Sequence, residues 1–318
     1  MNFKILKKSK LSNARLGYIE TEHGVVQTPC LVPVATQAVV KTLTSEEVEK
    51  TNSQILIANT FHLHLKPALA RRSLGAGGEK IIQKAGGIHQ FMNWEHNLFT
   101  DSGGFQILDE TFLVARKENG VVLNNPFTRK SELFTPEKCM QVQQSLGADV
   151  AMCLDDVPRF AAEKGKPFYV ETLKRTLDWA ARCRVSHDSK KQLLFGISQG
   201  GTFLDLREKG LYALNEMGFD GIALGGLAIG EPKPVMQKII SLGRKMISVD
   251  KPLYVMGLGT PEDIIQAIAN GADIFDSVFP TRTARHGLGL TSRGRISIKN
   301  NRYASDFSPL DEGCTCWV

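Results

Sequence analysis

The chain has 318 residues, of which 42% are hydrophobic and 23% charged, and a formal net charge of +6 at pH 7. That length suits either one (β/α)-barrel of about 250 residues or two average domains. No apolar run is long enough to span a bilayer and the first residues lack the apolar stretch of a secretory signal, so a membrane role is excluded and a cytoplasmic protein is expected.

Six cysteines (Cys30, Cys139, Cys153, Cys183, Cys314 and Cys316) are too sparse and irregular for a disulfide framework and read as reduced thiols. The excess of Lys and Arg is compatible with a polyanionic partner.

In chain order, the N-terminal 27 residues suggest a small β-element covering the bottom of a barrel. From about residue 28 onward, apolar β-rich runs alternate with helix-like segments, the sign of a parallel sheet with crossover helices. The runs are Thr28 to Thr36, Ile55 to Leu63, Leu98 to Gly104, Ala148 to Asp156, Leu193 to Gly201, Gly221 to Leu227, Leu253 to Gly259 and Ala272 to Phe279. That makes eight, the strand number of a (β/α)8 TIM barrel in the α/β class.

Helix starts fall between the runs. Thr44 with Glu47 forms a capping box, and Thr135 and Thr260 are N-caps followed by Pro136 and Pro261 at the first helical position. The last unit predicts a helix with Ile264, Ile265 and Ile268 on one face and Gly271 just past its end. Between the third and fourth runs, Asn119-Gly120 marks a hairpin turn in an antiparallel insertion. With no internal repeat or linker, residues 1–318 read as a single domain.

Polar or glycine-rich residues sit at the C-terminal ends of six strands, where barrels build their active sites. They are Asp101-Ser102-Gly103-Gly104, Asp155-Asp156, Gln199-Gly200-Gly201, Gly225-Gly226, Gly257-Leu258-Gly259 and Asp276. Asp101 and Asp276 suggest paired carboxylates for transfer at a sugar carbon. Gly103 and Gly104 let backbone approach a planar ligand, Phe105 offers a stacking face and Gln106 can orient polar groups. Asp155 with Asp156, Gln199, and N–H groups at Gly225 and Gly226 suit the edge of guanine. Cys153 reads as buried strand core. Arg282 and Arg285, in a loop after Asp276, suit phosphates and base edges.

The motifs TDSGGFQ, LDDVP, GISQGG, ALGGLAIGE, YVMGLGTPEDI, DIFDSVFPTRTARHG and NNRYASDFSPLDEGCTC run in order over nearly the whole chain, and together they resemble the tRNA-guanine transglycosylases, or queuine tRNA-ribosyltransferases. The resemblance implies a (β/α)8 barrel that exchanges guanine at the tRNA wobble position for a 7-deazaguanine, in queuosine biosynthesis, through a covalent ribosyl-enzyme intermediate. It implies no redox cofactor.

By the same resemblance, Asp276 matches the nucleophile and Asp101 the acid/base on the departing and incoming bases. Ser102, Gly103, Gly104, Asp155, Gln199, Gly225 and Gly226 match the base-binding region, with Phe105 and Met256 as faces of a stacking slot. The RNA-contacting segments match Gly257, Leu258, Gly259, Thr260, Pro261, Glu262 and Asp263, and then Thr281, Arg282, Thr283, Ala284 and Arg285. A homodimer is also implied, in which one subunit acts while the other positions tRNA.

Two positions depart from the family pattern. Its zinc site has the form C-x-C-x-x-C with a later His. Here Cys314 and Cys316 supply two ligands, and residues 300–318 read as the start of a truncated zinc-binding subdomain. Val157 stands where enzymes using the aminomethyl precursor carry Cys, so the resemblance leans toward queuine. The readings from other classes are a non-catalytic tRNA-binding subunit, which retention of Asp101 and Asp276 opposes, and a barrel glycosidase or nucleoside hydrolase on a small substrate, which would not need the paired arginines.

Overall fold

A computed structural model describes residues 2–65, 78–104, 112–125, 130–158 and 164–314. Phe105, Gln106 and Cys316 lie outside the described residues. The chain groups into two compact units, Met1–Ser277 and Val278–Val318.

The first unit begins with an antiparallel sheet of β1 (Phe3–Lys8), β2 (Arg15–Thr21) and β3 (Gly24–Thr28). The barrel follows with β4 (Cys30–Pro33), β5 (Ile55–Asn59) and β6 (Asn97–Asp101). An antiparallel insertion of β7 (Leu113–Lys117), β8 (Gly120–Asn124) and β9 (Ser131–Phe134) comes next; its first turn is formed by Glu118 and Asn119, one residue earlier than the expected Asn119-Gly120, because Gly120 already pairs with Lys117 in the ladder. The barrel resumes with β10 (Val150–Met152), β11 (Leu193–Ser198), β12 (Gly221–Leu224), β13 (Leu253–Val255) and β14 (Ile274–Ser277).

These eight barrel strands are parallel, in the order β4-β14-β13-β12-β11-β10-β6-β5, and a parallel bridge from Val34 to Ile57 brings the two ends together. Each lies within its expected run with shorter bounds, and two runs are corrected at their ends: Thr60 to Leu63, expected as strand, belong to the helix Thr60–Leu65, and Phe279 begins the helix Phe279–Arg285. Their side chains read as unbroken apolar stretches, such as the fully buried Leu193–Ser198, since helices cover one face of a barrel and the packed interior fills the other.

The predicted helix starts hold. Thr44 and Glu47 form the reciprocal capping box, and the Thr135 and Thr260 side chains accept from the backbone N–H groups of Lys138 and Asp263. In helix Pro261–Ala269, Ile264 and Ile268 pack on the core, but Ile265 is 65% exposed. One residue is a rotation of about 100°, so Ile265 leaves the stripe its neighbours share, which corrects the expected apolar face.

The N-terminal sheet covers the end of the barrel where the strands begin. Arg15 Nη2 meets Asp273 Oδ2 at 2.7 Å, both buried, and Arg15 also donates to the carbonyls of Val249 and Lys251. Arg244 Nη1 stands 3.7 Å from the same carboxylate. This polar anchor ties β2 to the segment just before β14.

The second unit holds a helix, Phe279–Arg285, an antiparallel hairpin of β15 (Leu288–Thr291) and β16 (Gly294–Ser297), and a short 3-10 turn, Asn301–Tyr303. The arginine-bearing segment expected as a loop is therefore helical. Thr281, Arg282, Thr283, Ala284 and Arg285 all lie in it, with Arg282 and Arg285 exposed one turn apart. Among the described residues, no helix is long and apolar enough to cross a membrane.

Candidate active site

Asp101 ends β6 and Asp276 sits in the last turn of β14, both at the C-terminal mouth of the barrel. Asn59 ends the neighbouring β5 directly opposite Asp101 in register, and its Nδ2 donates to both Asp101 oxygens at 2.9 and 3.1 Å. The N–H of Gly103 donates to Asp101 Oδ1. Burial pushes the Asp101 carboxyl up to about 7; the Gly103 bond opposes this, and the nearby charge of Asp276 adds to it. Tyr254 on β13 feels the charge of both Asp276 and Asp101.

Asp276 is held on the other side. Tyr254 Oη donates to Asp276 Oδ1 at 2.6 Å, and the backbone N–H of Gly257 donates to the same oxygen at 3.0 Å. Burial raises the Asp276 carboxyl above the usual carboxylate range, and these two bonds pull it back. Both donors meet one oxygen and fix the carboxylate's orientation, and among the described residues no side-chain or backbone donor is shown to the other oxygen, the arrangement a nucleophilic carboxylate needs.

Asp155 follows β10, buried with Ser102 and Gln199. Gln199 Nε2 donates to Asp155 Oδ2 at 2.6 Å, and Ser102 Oγ donates to Oδ1 at 3.4 Å. Burial pushes the Asp155 carboxyl to about 7, against the Gln199 bond. Gln199 Oε1 is buried and without a hydrogen-bond partner. A buried amide oxygen left unpaired suits a site that awaits a donor from a ligand.

A Cβ on Gly104 would lie 2.6 Å from Asp155 Oδ1, one on Gly103 would lie 2.4 Å from Phe61 Cβ, and one on Gly226 would lie 2.6 Å from Gln199 Oε1. Gly104 and Gly226 thus leave room for Asp155 and Gln199, and Gly103 leaves room for Phe61. The Gly225 N–H is committed to the Ser198 carbonyl at 3.0 Å, so it is not a free donor for a base. Gly226, at φ +65°, makes no such backbone bond among the described residues.

Asp156 separates from Asp155. It is buried between Arg116 Nε at 2.8 Å and Arg175 Nε at 2.7 Å, joining the insertion strand β7 and helix Lys166–Ser186 to the barrel. Its role is structural. Cys153 is buried core as expected, its Sγ accepting from the Ile197 N–H.

Met256 is half-buried beside the core, while Phe105, the other proposed face of the slot, lies outside the described residues. In the 257–263 segment, Leu258 is 2% exposed and its side chain belongs to the core, so it offers no surface contact. Gly259 is buried as well, whereas Gly257, Pro261 and Glu262 are exposed. Thr260 caps the helix, and Asp263 pairs with Lys233 at 2.6 Å.

The residues present do not by themselves make a closed zinc site at the C-terminal segment. Cys314 is exposed, and among the described residues no group of three or more His, Cys, Asp or Glu donors includes it. Tyr254 and Asn59 were not expected as site residues. Their contacts depend on strand register, although their places near strand ends already put them at the mouth.

Two half-buried carboxylates, each held by its own donors at the C-terminal mouth of a parallel barrel, suit a barrel enzyme of the glycosyl-transfer class. A sequence profile described as queuine tRNA-ribosyltransferase matches residues 9–318, and the chain belongs to that family. Proteins named queuine tRNA-ribosyltransferase from Thermoanaerobacter sp. (strain X514) and Caldanaerobacter subterraneus subsp. tengcongensis are each 43% identical, covering 100% of this chain and 82% of their own length. A third so named, from Desulforamulus reducens, is 43% identical, covering 100% of this chain and 83% of its own length.

Proposed function

We propose that this protein exchanges guanine at the wobble position of a tRNA anticodon for a 7-deazaguanine by double displacement. The observation that carries the reading is the placement of Asp101 and Asp276 at the C-terminal ends of β6 and β14, two carboxylates at the barrel mouth with separate hydrogen-bond partners.

Asp276 attacks the ribose C1′ as the C1′–N9 bond breaks, forming a ribosyl ester, and Asp101 gives its proton to the departing guanine. After guanine leaves, ionised Asp101 takes the N9 proton of the incoming base. That nitrogen attacks C1′, the ester breaks, and the Asp276 carboxylate returns. An acid near 7 is matched to giving and then taking a proton close to neutral pH.

Asp155 accepts from the N–H groups on the edge of the base, while Gln199 and the Gly226 N–H supply complementary groups. Met256 with Phe105 form the stacking slot. Ser102, Gly103 and Gly104 shape the same wall, and Gly225 supports it through packing. Val157, buried beside Gly104, favours queuine as the incoming base. The exposed Arg282 and Arg285 bind the anticodon loop, together with the surface of the 257–263 segment. A single-stranded loop lets the target nucleotide leave its stack more cheaply than a duplex would. The homodimer, the cytoplasmic setting and a zinc at Cys314 and Cys316 belong to the same proposal. Two thiols fall short of the four ligands of a structural zinc, and no chemical step runs through the metal.

The test is to incubate the protein with tRNA and labelled guanine. Label should enter tRNA with wild type and not with Asp276→Asn, and exchange should weaken as salt rises. Release of free base without incorporation would point instead to a hydrolase.

A further inference from the structure

At the opposite end of the barrel from Asp101, three side chains from distant parts of the chain meet. His23 lies in the turn between β2 and β3, His89 lies in the short helix Ile88–Met92, and Asp149 immediately precedes β10. One donor atom from each lies within 4.8 Å of the others. His23 Nδ1 stands 2.8 Å from Asp149 Oδ1 and His89 Nε2 stands 3.4 Å from Asp149 Oδ2. The two imidazoles stack with centroids 3.6 Å apart and planes 15° from parallel, so the exposed His23 ring has to rotate to bring its lone pair onto an ion shared with His89.

We propose that His23, His89 and Asp149 form a binding site for a divalent transition cation of the zinc type, which clips the N-terminal hairpin to the floor of the barrel.

The orientation of His89 supports this. Its Nδ1 lies 3.2 Å from the Trp94 carbonyl, a contact that places a proton on Nδ1 and leaves the lone pair of Nε2 pointing at the carboxylate. His89 Nε2 is buried and, among the described residues, makes no hydrogen bond beyond a long 3.4 Å contact with Asp149 Oδ2. In the neutral ring this nitrogen turns a lone pair toward the carboxylate, a place that a bound cation would fill. Metal-bound histidines are commonly held in this way, with the second ring nitrogen donating to a backbone carbonyl.

The carboxylate is also fixed in advance. Asp149 Oδ2 accepts from the Leu98 N–H at 2.8 Å, and its side chain is 1% exposed, against 12% for His89 and 37% for His23. The exposed His23 is an entry path. Ligands at about 2.0–2.2 Å from zinc in a tetrahedron stand roughly 3.3–3.5 Å apart; the His89–Asp149 pair at 3.4 Å already has this spacing, and the His23–Asp149 pair at 2.8 Å opens slightly to reach it. Two imidazoles and one carboxylate suit zinc and its neighbours rather than calcium or magnesium, and they leave a fourth position for water.

The test uses the full chain carrying Cys314→Ser and Cys316→Ser, which removes the thiols of the C-terminal segment and leaves Cys139, Cys153 and Cys183 buried and Cys30 partly buried. Titration with Zn²⁺ followed by calorimetry, and with Co²⁺ followed by visible absorption, should show one equivalent bound, and saturating Zn²⁺ should raise the melting temperature by about 5 °C. His89→Gln and His23→Gln should each weaken binding at least roughly tenfold. His23→Gln lies in an exposed turn and serves if His89→Gln does not fold. Asp149 is left intact because it also holds Leu98. Absence of binding in the Cys314→Ser, Cys316→Ser chain, or one equivalent bound undiminished by either histidine substitution, overturns the proposal. The result is independent of base exchange, which is read at the other end of the barrel.

Discussion

The phenol of Tyr254 donates a 2.6 Å hydrogen bond to the carboxylate of Asp276, joining a fully buried residue of β13 to the proposed nucleophile on β14. Tyr254→Phe keeps the ring and removes that bond. Burial already lifts the Asp276 carboxyl and the phenol pulls it down, so its loss should raise the acidic limb of the pH–rate profile. A hydrogen bond to a charged group contributes about 1.5–3 kcal/mol, so kcat should fall roughly 10- to 100-fold. Steady-state rates from pH 5 to 8 check both effects.

Asp101 and Asp155 make an opposite demand on folding. Each has a folded value near 7, raised mainly by burial from an ordinary value of 3.8. A raised carboxyl contributes stability that is fully present below the unfolded value and is lost as pH climbs through the folded one. Wild type should therefore lose stability between about pH 4 and pH 7, and Asp155→Asn should flatten that decline. Denaturant unfolding at pH 5 and pH 8 compares them, and an unchanged slope would contradict the burial argument.

On the activity side, the same Asp101 must be protonated to assist guanine departure. The kcat/KM for tRNA should fall as pH rises through about 7. The coupling of Asp101 to Asp276 makes this an apparent value of the pair. A profile of kcat/KM from pH 5.5 to 9 measures it.

Gly226→Ala places a methyl 2.6 Å from Gln199 Oε1 at a backbone φ of +65°. Gln199 must then move away from Asp155, so the KM for free guanine should rise roughly tenfold or more. The left-handed backbone adds strain of about 1–2 kcal/mol, lowering the melting temperature by a few degrees. Guanine-exchange kinetics with a thermal melt separate the two effects.

Arg15→Met tests the anchor at the other end of the barrel. It leaves Asp273 buried with Arg244 Nη1 at 3.7 Å as the remaining cation nearby. Breaking a buried pair from one side costs about 3–5 kcal/mol, so unfolding should shift by that order while the KM for guanine stays the same.

The barrel was legible because each strand is a short apolar run closed by polar or glycine-rich residues, and Thr135 and Thr260 mark their helices by local capping chemistry alone. What escaped depends on register and packing. Asn59 meets Asp101 only because β5 and β6 pair residue for residue, and Tyr254 reaches Asp276 across β13 and β14. Asp155 and Asp156 are adjacent in sequence, yet one faces Gln199 and the other two arginines, since neighbouring side chains at a strand end turn opposite ways. Gly225 looked like a donor because its hydrogen bond to Ser198 belongs to the neighbouring strand.

The most direct measurement of the central claim is a search for the covalent intermediate. Wild-type protein mixed with tRNA, without added base, should give a protein–RNA adduct on a denaturing gel, and digestion with mass spectrometry should place the ribosyl ester on Asp276. Adding guanine should chase the adduct back to free protein, and Asp276→Asn should form none. Base exchange at the wild-type rate by Asp276→Asn, or an adduct mapped to another side chain, would contradict the account.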